Sequence, residues 1–171
     1  MKHYSGDMAL DASLRELACH FQIPGTLAGT VAARQSATAF GEKRKWSAQV
    51  RQELELILSE CLANIVKHGQ ACAEAPIRIQ ILDNGAELRL EIRDQGIPFN
   101  PLDAAEPDLD LPLDERPIGG LGVFIVRSLA QEVRWSREGG ENVLTILKST
   151  HTPNMPPPRS RLSHGGPELR P

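Results

Sequence analysis

The chain has 171 residues, a formal charge of −3 from 22 acidic and 19 basic side chains, and a 40% hydrophobic composition; a domain of ~150 residues buries roughly 70% of the surface its unfolded chain exposes, so one folded domain is expected and disorder throughout is excluded. The near-balanced charge, the lack of a long basic run and the presence of only four Phe, two Trp and one Tyr provide neither an electrostatic track for duplex nucleic acid nor a stacking platform for single strands. No run reaches the ~20 apolar residues that span a bilayer and residues 1–10 lack an apolar signal-peptide core, which predicts a cytoplasmic protein with neither membrane nor nucleic acid as a direct partner.

Leu17, Cys19, Phe21 and Ile23 alternate with Ala18, His20 and Gln22, the period of a short strand stopped by Pro24, although Leu10, Leu14 and Leu17 also suit a helix. Residues 26–40 are alanine-rich without proline and predict a first helix closed near Gly41. Ser47 is placed to cap a longer helix over 48–67, with Gly69 where a C-cap glycine belongs. Beyond Pro76 the texture turns to strand: Ile77, Ile79 and Ile81, then the turn signal Asp83-Asn84-Gly85, then Leu88, Leu90 and Ile92.

Residues 95–118 are rich in glycine, proline and acids, a length that a compact domain keeps for function. Residues 121–130 suit a short buried helix, and strands over 132–137 and 143–148 are joined across Gly139-Gly140. Helices preceding a run of hairpins predict an α+β fold: a two-layer α/β sandwich with a mixed, mainly antiparallel sheet and about three helices on one face. From Thr150 onward lie six of the 13 prolines and a net charge of +2, leaving −5 for the body, so residues 1–149 are expected to form the domain and 150–171 a disordered Pro-rich tail. Cys19, Cys61 and Cys72 are an odd number without a CxxC spacing, which suggests reduced thiols rather than disulfides or a zinc site.

Three groups of residues carry possible chemistry. On the long helix Leu54, Leu58, Leu62 and Ile65 form an apolar stripe, while Glu60, Asn64 and Lys67 share a second face with His68 at its edge. That face is either a solvated surface or a carboxylate and amide oxygen beside a lysine, as a Mg²⁺-phosphate site requires. Asp94-Gln95-Gly96-Ile97-Pro98-Phe99 puts a carboxylate at a strand end with a glycine two residues later, either a plain turn or an acceptor for an exocyclic amine such as adenine's. Gly119-Gly120-Leu121-Gly122 leads into a helix, whose N-terminal N–H groups can bind phosphate; it is neither a Walker A loop nor a complete GxGxxG.

In this order and on these elements, Glu60-Cys-Leu-Ala-Asn64-Ile-Val-Lys-His68-Gly69, Asp94-Gln-Gly96-Ile-Pro98-Phe99 and Gly119-Gly-Leu-Gly-Val-Phe-Ile-Val126 resemble the N, G1 and G2 boxes of the GHKL ATPase superfamily over residues 26–148. Within it, the chain resembles the bacterial anti-sigma factor serine/threonine protein kinases. The resemblance implies the Bergerat, or histidine-kinase-like ATPase, fold, binding of ATP/ADP with Mg²⁺, sequestration of a sigma factor, and phosphorylation of a serine on an anti-anti-sigma (STAS-type) partner. It further implies Glu60 as general base, Asn64 as Mg²⁺ ligand, Asp94 as acceptor for the adenine amine with Gly96 as its close-approach partner, and Gly119, Gly120, Leu121 and Gly122 as the phosphate loop. Lys67 and His68 would be secondary phosphate-side contacts, and residues 95–118 a lid whose Arg116 reaches phosphate.

Where the family often shows Gly then Thr beside the adenine, this chain has Gly139-Gly140-Glu141-Asn142, with Thr145 further on, so Thr145 and Asn142 are both candidates for that contact. The lid carries Asp103, Glu106, Asp108, Asp110, Asp114 and Glu115 against one arginine, which reads as a solvated acidic loop or as a surface for metal or a partner. The resemblance also implies a homodimer formed through the strand at 17–23. Two other functions use the same boxes. One is a non-catalytic nucleotide-binding or sigma-sequestering module; the other is the ATP-binding domain of a histidine kinase, which needs a phosphoacceptor hairpin upstream, where few residues precede the first helix.

Overall fold

The computed structural model describes residues 18–68, 75–103 and 120–151. Leu17, Gly69, Cys72, Arg116, Gly119, the lid acids Glu106, Asp108, Asp110, Asp114 and Glu115, and the tail from residue 152 lie outside the described residues.

Alternation of isoleucine and leucine with arginine, glutamine and glutamate builds a five-stranded sheet in the order β1-β2-β3-β5-β4. Its strands are β1 (Ala18–Ile23), β2 (Ile77–Asp83), β3 (Glu87–Asp94), β4 (Glu132–Glu138) and β5 (Glu141–Ser149). Every pairing among the described strands is antiparallel. Register sets Ile79 opposite Ile92 and Ile81 opposite Leu90, then Leu90 opposite Ile146 and Ile92 opposite Leu144, so one face is a continuous apolar floor. The period of two sends Arg78, Arg89, Glu91 and Arg93 to the other face, where Arg78 pairs with Glu141 and Arg93 with Glu138.

The floor is covered by α1 (Leu27–Lys43), α2 (Ala48–His68) and α3 (Leu121–Leu129), whose buried residues join it in one core. The predicted stripe of α2 is buried, with Val50, Ile57 and Cys61 beside it, on the scale at which truncating a core leucine costs ~2–5 kcal/mol. Ser47 Oγ caps this helix by accepting from Val50 N at 3.2 Å, and Thr26 Oγ1 caps α1 by accepting from Gly29 N at 3.2 Å. The first helix does not stop at Gly41 but runs to Lys43. Gly41 is buried inside it, and a Cβ there would lie 2.7 Å from the Trp46 ring; the glycine admits that ring rather than ending the helix.

The α1–α2 connection is locked to the β2–β3 turn by one carboxylate. Asp83 Oδ2 accepts from Arg44 Nε at 2.6 Å and Trp46 Nε1 at 2.9 Å, and Oδ1 accepts from Gly85 N at 2.7 Å. Burial alone would raise the carboxyl's pKa, but the bonds from Arg44, Gly85 and Trp46 together outweigh it and hold the group below its ordinary range. Stabilisation from a depressed carboxyl is complete above its unfolded value near 4 and is lost as pH falls through the lower folded value. Asp83→Ala is therefore expected to cost ~2–4 kcal/mol at neutral pH by urea denaturation, with the gap to wild type closing in acid. A gap that held constant down to pH 2 would contradict this role.

Thr150, expected to begin the tail, is fastened to the body: its N donates to Ala86 O at 3.0 Å and its Oγ1 to Gly85 O at 2.7 Å. No helix among the described residues is long and apolar enough to cross a membrane.

Candidate functional site

A narrow crevice of about 10 Å³ lies where the second half of α2, the turn Pro101–Asp103, the start of α3 and the end of the sheet converge. Its floor is apolar, from Cys61, Val123, Val126, Val133 and Leu144, and Asn64 projects into it. Leu144 pairs with Ile92, and one pleat further along Asn142 pairs with Asp94, which sets the Asp94 carboxylate at the same end of the sheet. His68 closes the other side by stacking on Phe99, with ring centroids 5.4 Å apart and an interplanar angle of 25°.

Glu60, one turn before Asn64, lies against the first turn of α3. A Cβ on Gly122 would fall 2.3 Å from Glu60 Oε2, so only glycine lets the helix start come this close to the carboxylate in its present rotamer. Gly120 enters α3 at φ 80°, a left-handed conformation that suits glycine, and offers no side-chain cap. The first N–H groups of α3 therefore have no intrahelical acceptor and point out of the helix N-terminus, beside half-exposed Leu121. Among the described residues neither the Glu60 carboxylate nor the Asn64 amide has a hydrogen-bond or ion-pair partner. Cys61 beside them is fully buried, and burial together with the negative charge of Glu60 pushes its thiol up to about 12, so it is an inert, protonated part of the floor. Cys19 is a free thiol as well, its pKa raised by burial.

Asp94 is 5% exposed. Its Oδ1 accepts from Gly96 N at 2.8 Å and from Asn142 Nδ2 at 3.0 Å, while Oδ2 receives no hydrogen bond from any described residue. A strand-end carboxylate with one oxygen tied and the other open is an oriented acceptor.

Residues 23–148 match the family of the histidine kinase-like ATPase domain. The chain belongs to this family. Among its relatives, the serine/threonine-protein kinase BtrW of Bordetella bronchiseptica is 33% identical over 103 residues, 60% of this chain and 72% of that protein. The serine-protein kinase RsbW of Listeria monocytogenes is 28% identical over 123 residues, 65% of this chain and 74% of its own. An anti-sigma F factor of Bacillus thuringiensis is 29% identical over 102 residues, 59% of this chain and 70% of that one. These relatives group the chain with the anti-sigma serine/threonine kinases of the histidine kinase-like ATPases. The fold agrees: the structure of the RsbU and RsbW domains of Rv1364c from Mycobacterium tuberculosis superposes with a TM-score of 0.55 at 16% identity, covering 77% of this chain, which spans about a third (31%) of that longer one.

Not every residue singled out from the sequence joins this crevice. Thr145 does not: it pairs with Glu91 and Arg134, and the alternation of β5 puts it on the outer face of the sheet, away from Asp94. Asn142, in register with Asp94, takes the inner place. Lys67 shares the helix face of Glu60 by spacing, yet it lies exposed along a groove between α1 and α2 with Leu27, Val31 and Arg34. Asp103, the described lid acid, accepts from Asn100 Nδ2 at 2.8 Å and closes its own short turn. Residues 96–99, expected to open the lid, are instead tied to Asn142 and Arg137.

Arg137 was not among the sequence candidates. Its Nη1 donates to Gly96 O and to Asn142 Oδ1, each at 2.9 Å. The signal lay in the two-glycine turn, because a tight hairpin through Gly139-Gly140 sets residue 137 opposite residue 142.

The family implies a magnesium ion. Among the described residues no three His, Cys, Asp or Glu side chains gather into a metal cage, while Glu60 and Asn64 present unpaired hard oxygens one turn apart. That set fits Mg²⁺, which prefers one or two protein oxygens and completes its shell with phosphates and water.

Proposed function

We propose that the crevice binds Mg²⁺-ATP and transfers its γ-phosphoryl group to a serine or threonine of an anti-anti-sigma (STAS-type) protein, and that the chain sequesters a sigma factor when that partner is phosphorylated. The observation that carries the reading is the pairing of an unpartnered carboxylate and amide, Glu60 and Asn64, with the bare N-terminus of α3 across a cleft from the open oxygen of Asp94. The kinase and anti-sigma names of the relatives support it.

In this reading Asp94 Oδ2 accepts from the exocyclic amine of the base, and Gly96 leaves room for the flat ring. Leu144, Val126 and Val133 form the apolar side of its pocket. The N–H groups at Gly120 to Gly122, preceded by Gly119, take phosphate oxygens at the positive end of α3. Asn64 would hold Mg²⁺, which when bound neutralises charge on the transferring phosphoryl group. Glu60 accepts the proton of the acceptor hydroxyl as that oxygen bonds to the γ-phosphorus, and the bond to the β–γ bridging oxygen breaks to release ADP. His68 stacks on Phe99 and steadies the loop after β3, and Arg116 would approach the triphosphate from outside.

Phosphoryl transfer of this kind is mostly positioning and charge neutralisation, so the groups named suffice. The test is incubation of the full chain with γ-labelled ATP, Mg²⁺ and an anti-anti-sigma domain. Label is expected on a serine or threonine of that domain, and release of the domain from the chain should follow. ATP binding with no label transferred to any such domain would reduce the protein to a binding module.

A further inference from the structure

We infer that Asn142, backed by Arg137, is the positioning residue that fixes the Asp94 carboxylate as a pure acceptor and so sets the preference for a purine bearing an exocyclic amine over one bearing a carbonyl. The inference rests on the reading that Asp94 meets the base.

Asn142 is 4% exposed, and its carboxamide uses every hydrogen bond it can make. Nδ2 donates to Asp94 Oδ1 at 3.0 Å and to Ile97 O at 2.9 Å. Oδ1 accepts from Phe99 N at 3.3 Å and from Arg137 Nη1 at 2.9 Å. This pattern also fixes which way the amide points, since a flipped group would set its N–H bonds against those of Phe99 and Arg137. Three consequences follow. The amide has nothing left for a ligand, so Asn142 does not itself touch the base. It ties the loop over residues 94–99 at its first, middle and last residues, and Arg137 adds Gly96 O. Finally, with Asn142 and Gly96 both occupying Oδ1, the carboxylate cannot rotate without losing two bonds, and Oδ2 is the oxygen left open among the described residues.

An ionised carboxylate accepts and never donates. Held in place, it bonds the amine of adenine and repels the carbonyl of hypoxanthine at the same position; freed to rotate or withdraw, it loses both effects. A substitution that merely loosened the fold would weaken the two nucleotides alike, so the ratio of affinities isolates the positioning role.

The experiment measures binding of ATP and of inosine triphosphate, each with Mg²⁺, to the full chain by titration calorimetry. Wild type is expected to favour ATP by about tenfold to a hundredfold, the range for one hydrogen bond to a charged group. Asn142→Asp, nearly the same shape but with both donors removed and a second carboxylate against Asp94, should shrink that ratio to within about threefold of unity. Arg137→Met alters only an exposed side chain on the edge strand and leaves the core intact, so it reports even if the first variant fails to fold; it should narrow the ratio by ~2–5-fold. Wild-type selectivity in folded Asn142→Asp, or in Arg137→Met where Asn142→Asp does not fold, overturns the positioning role while leaving nucleotide binding in place. A wild-type chain that binds neither nucleotide overturns the nucleotide-binding reading and this inference with it.

Discussion

Glu60→Gln is expected to bind Mg²⁺-ATP within about threefold of wild type and to transfer phosphate ~10²–10⁴-fold more slowly, the usual contribution of a positioned general base. Glutamine keeps the length, the polarity and one oxygen of the side chain, so it fills the same space against Gly122; what it removes is the capacity to take a proton. The side chain is half-buried and unpartnered among the described residues, so no structural bond is broken and the melting temperature should hold. Single-turnover transfer to the partner, measured beside equilibrium ATP binding, separates the two effects. Transfer at the wild-type rate would remove Glu60 from the chemistry, and loss of binding in parallel with rate would recast it as a ligand for the metal-nucleotide complex.

Asp94→Asn is expected to weaken ATP binding by about tenfold to a hundredfold. Asparagine can still accept from Gly96 N and Asn142 Nδ2 through its oxygen, which keeps the loop bonds seen at 2.8 and 3.0 Å. Its amide nitrogen then replaces Oδ2 and turns an acceptor into a donor facing the amine of adenine. Shape and burial are retained while polarity at one atom is reversed, so a large loss locates the base at that atom. The same variant should gain affinity for inosine triphosphate, whose carbonyl suits a donor. Unchanged affinity for both nucleotides would mean that the base does not reach Asp94.

The sequence made the scaffold of this site readable because its periods are long. The α2 stripe of Leu54, Leu58, Leu62 and Ile65, and the alternation through residues 77–92, each repeat often enough to exclude the competing period, and all of these inward positions are buried. Single residues were less legible, for distinct reasons. Gly41 looked like a helix stop because the signal for termination is the same as that for close packing, and only the arrival of Trp46 distinguishes them. Thr145 was favoured by its residue type, but in a strand the face is decided by parity from a fixed point. That point is the Gly139-Gly140 turn, with φ of 56° and 89°, which makes 142, 144 and 146 the inward set. Arg137 was invisible to motif reading because its role is to hold another residue's amide. Glu60 and Asn64 were legible as a pair by helical spacing, but nothing in the sequence showed that Gly122 would bring α3 against the carboxylate.

Both ends of the described body leave the sheet on the side remote from the crevice. Ala18 enters opposite Leu82, and Ser149 exits opposite Glu87, next to the β2–β3 turn that anchors Thr150. Asp94 stands at the far end of β3, roughly 20 Å away at the rise of an extended strand. The β2–β3 turn, Ala18 and Ser149 thus form one pole of the described body, and the proposed nucleotide site the other. A label placed on the described body near Ala18 or Ser149 is therefore separated from the opening by the length of the sheet.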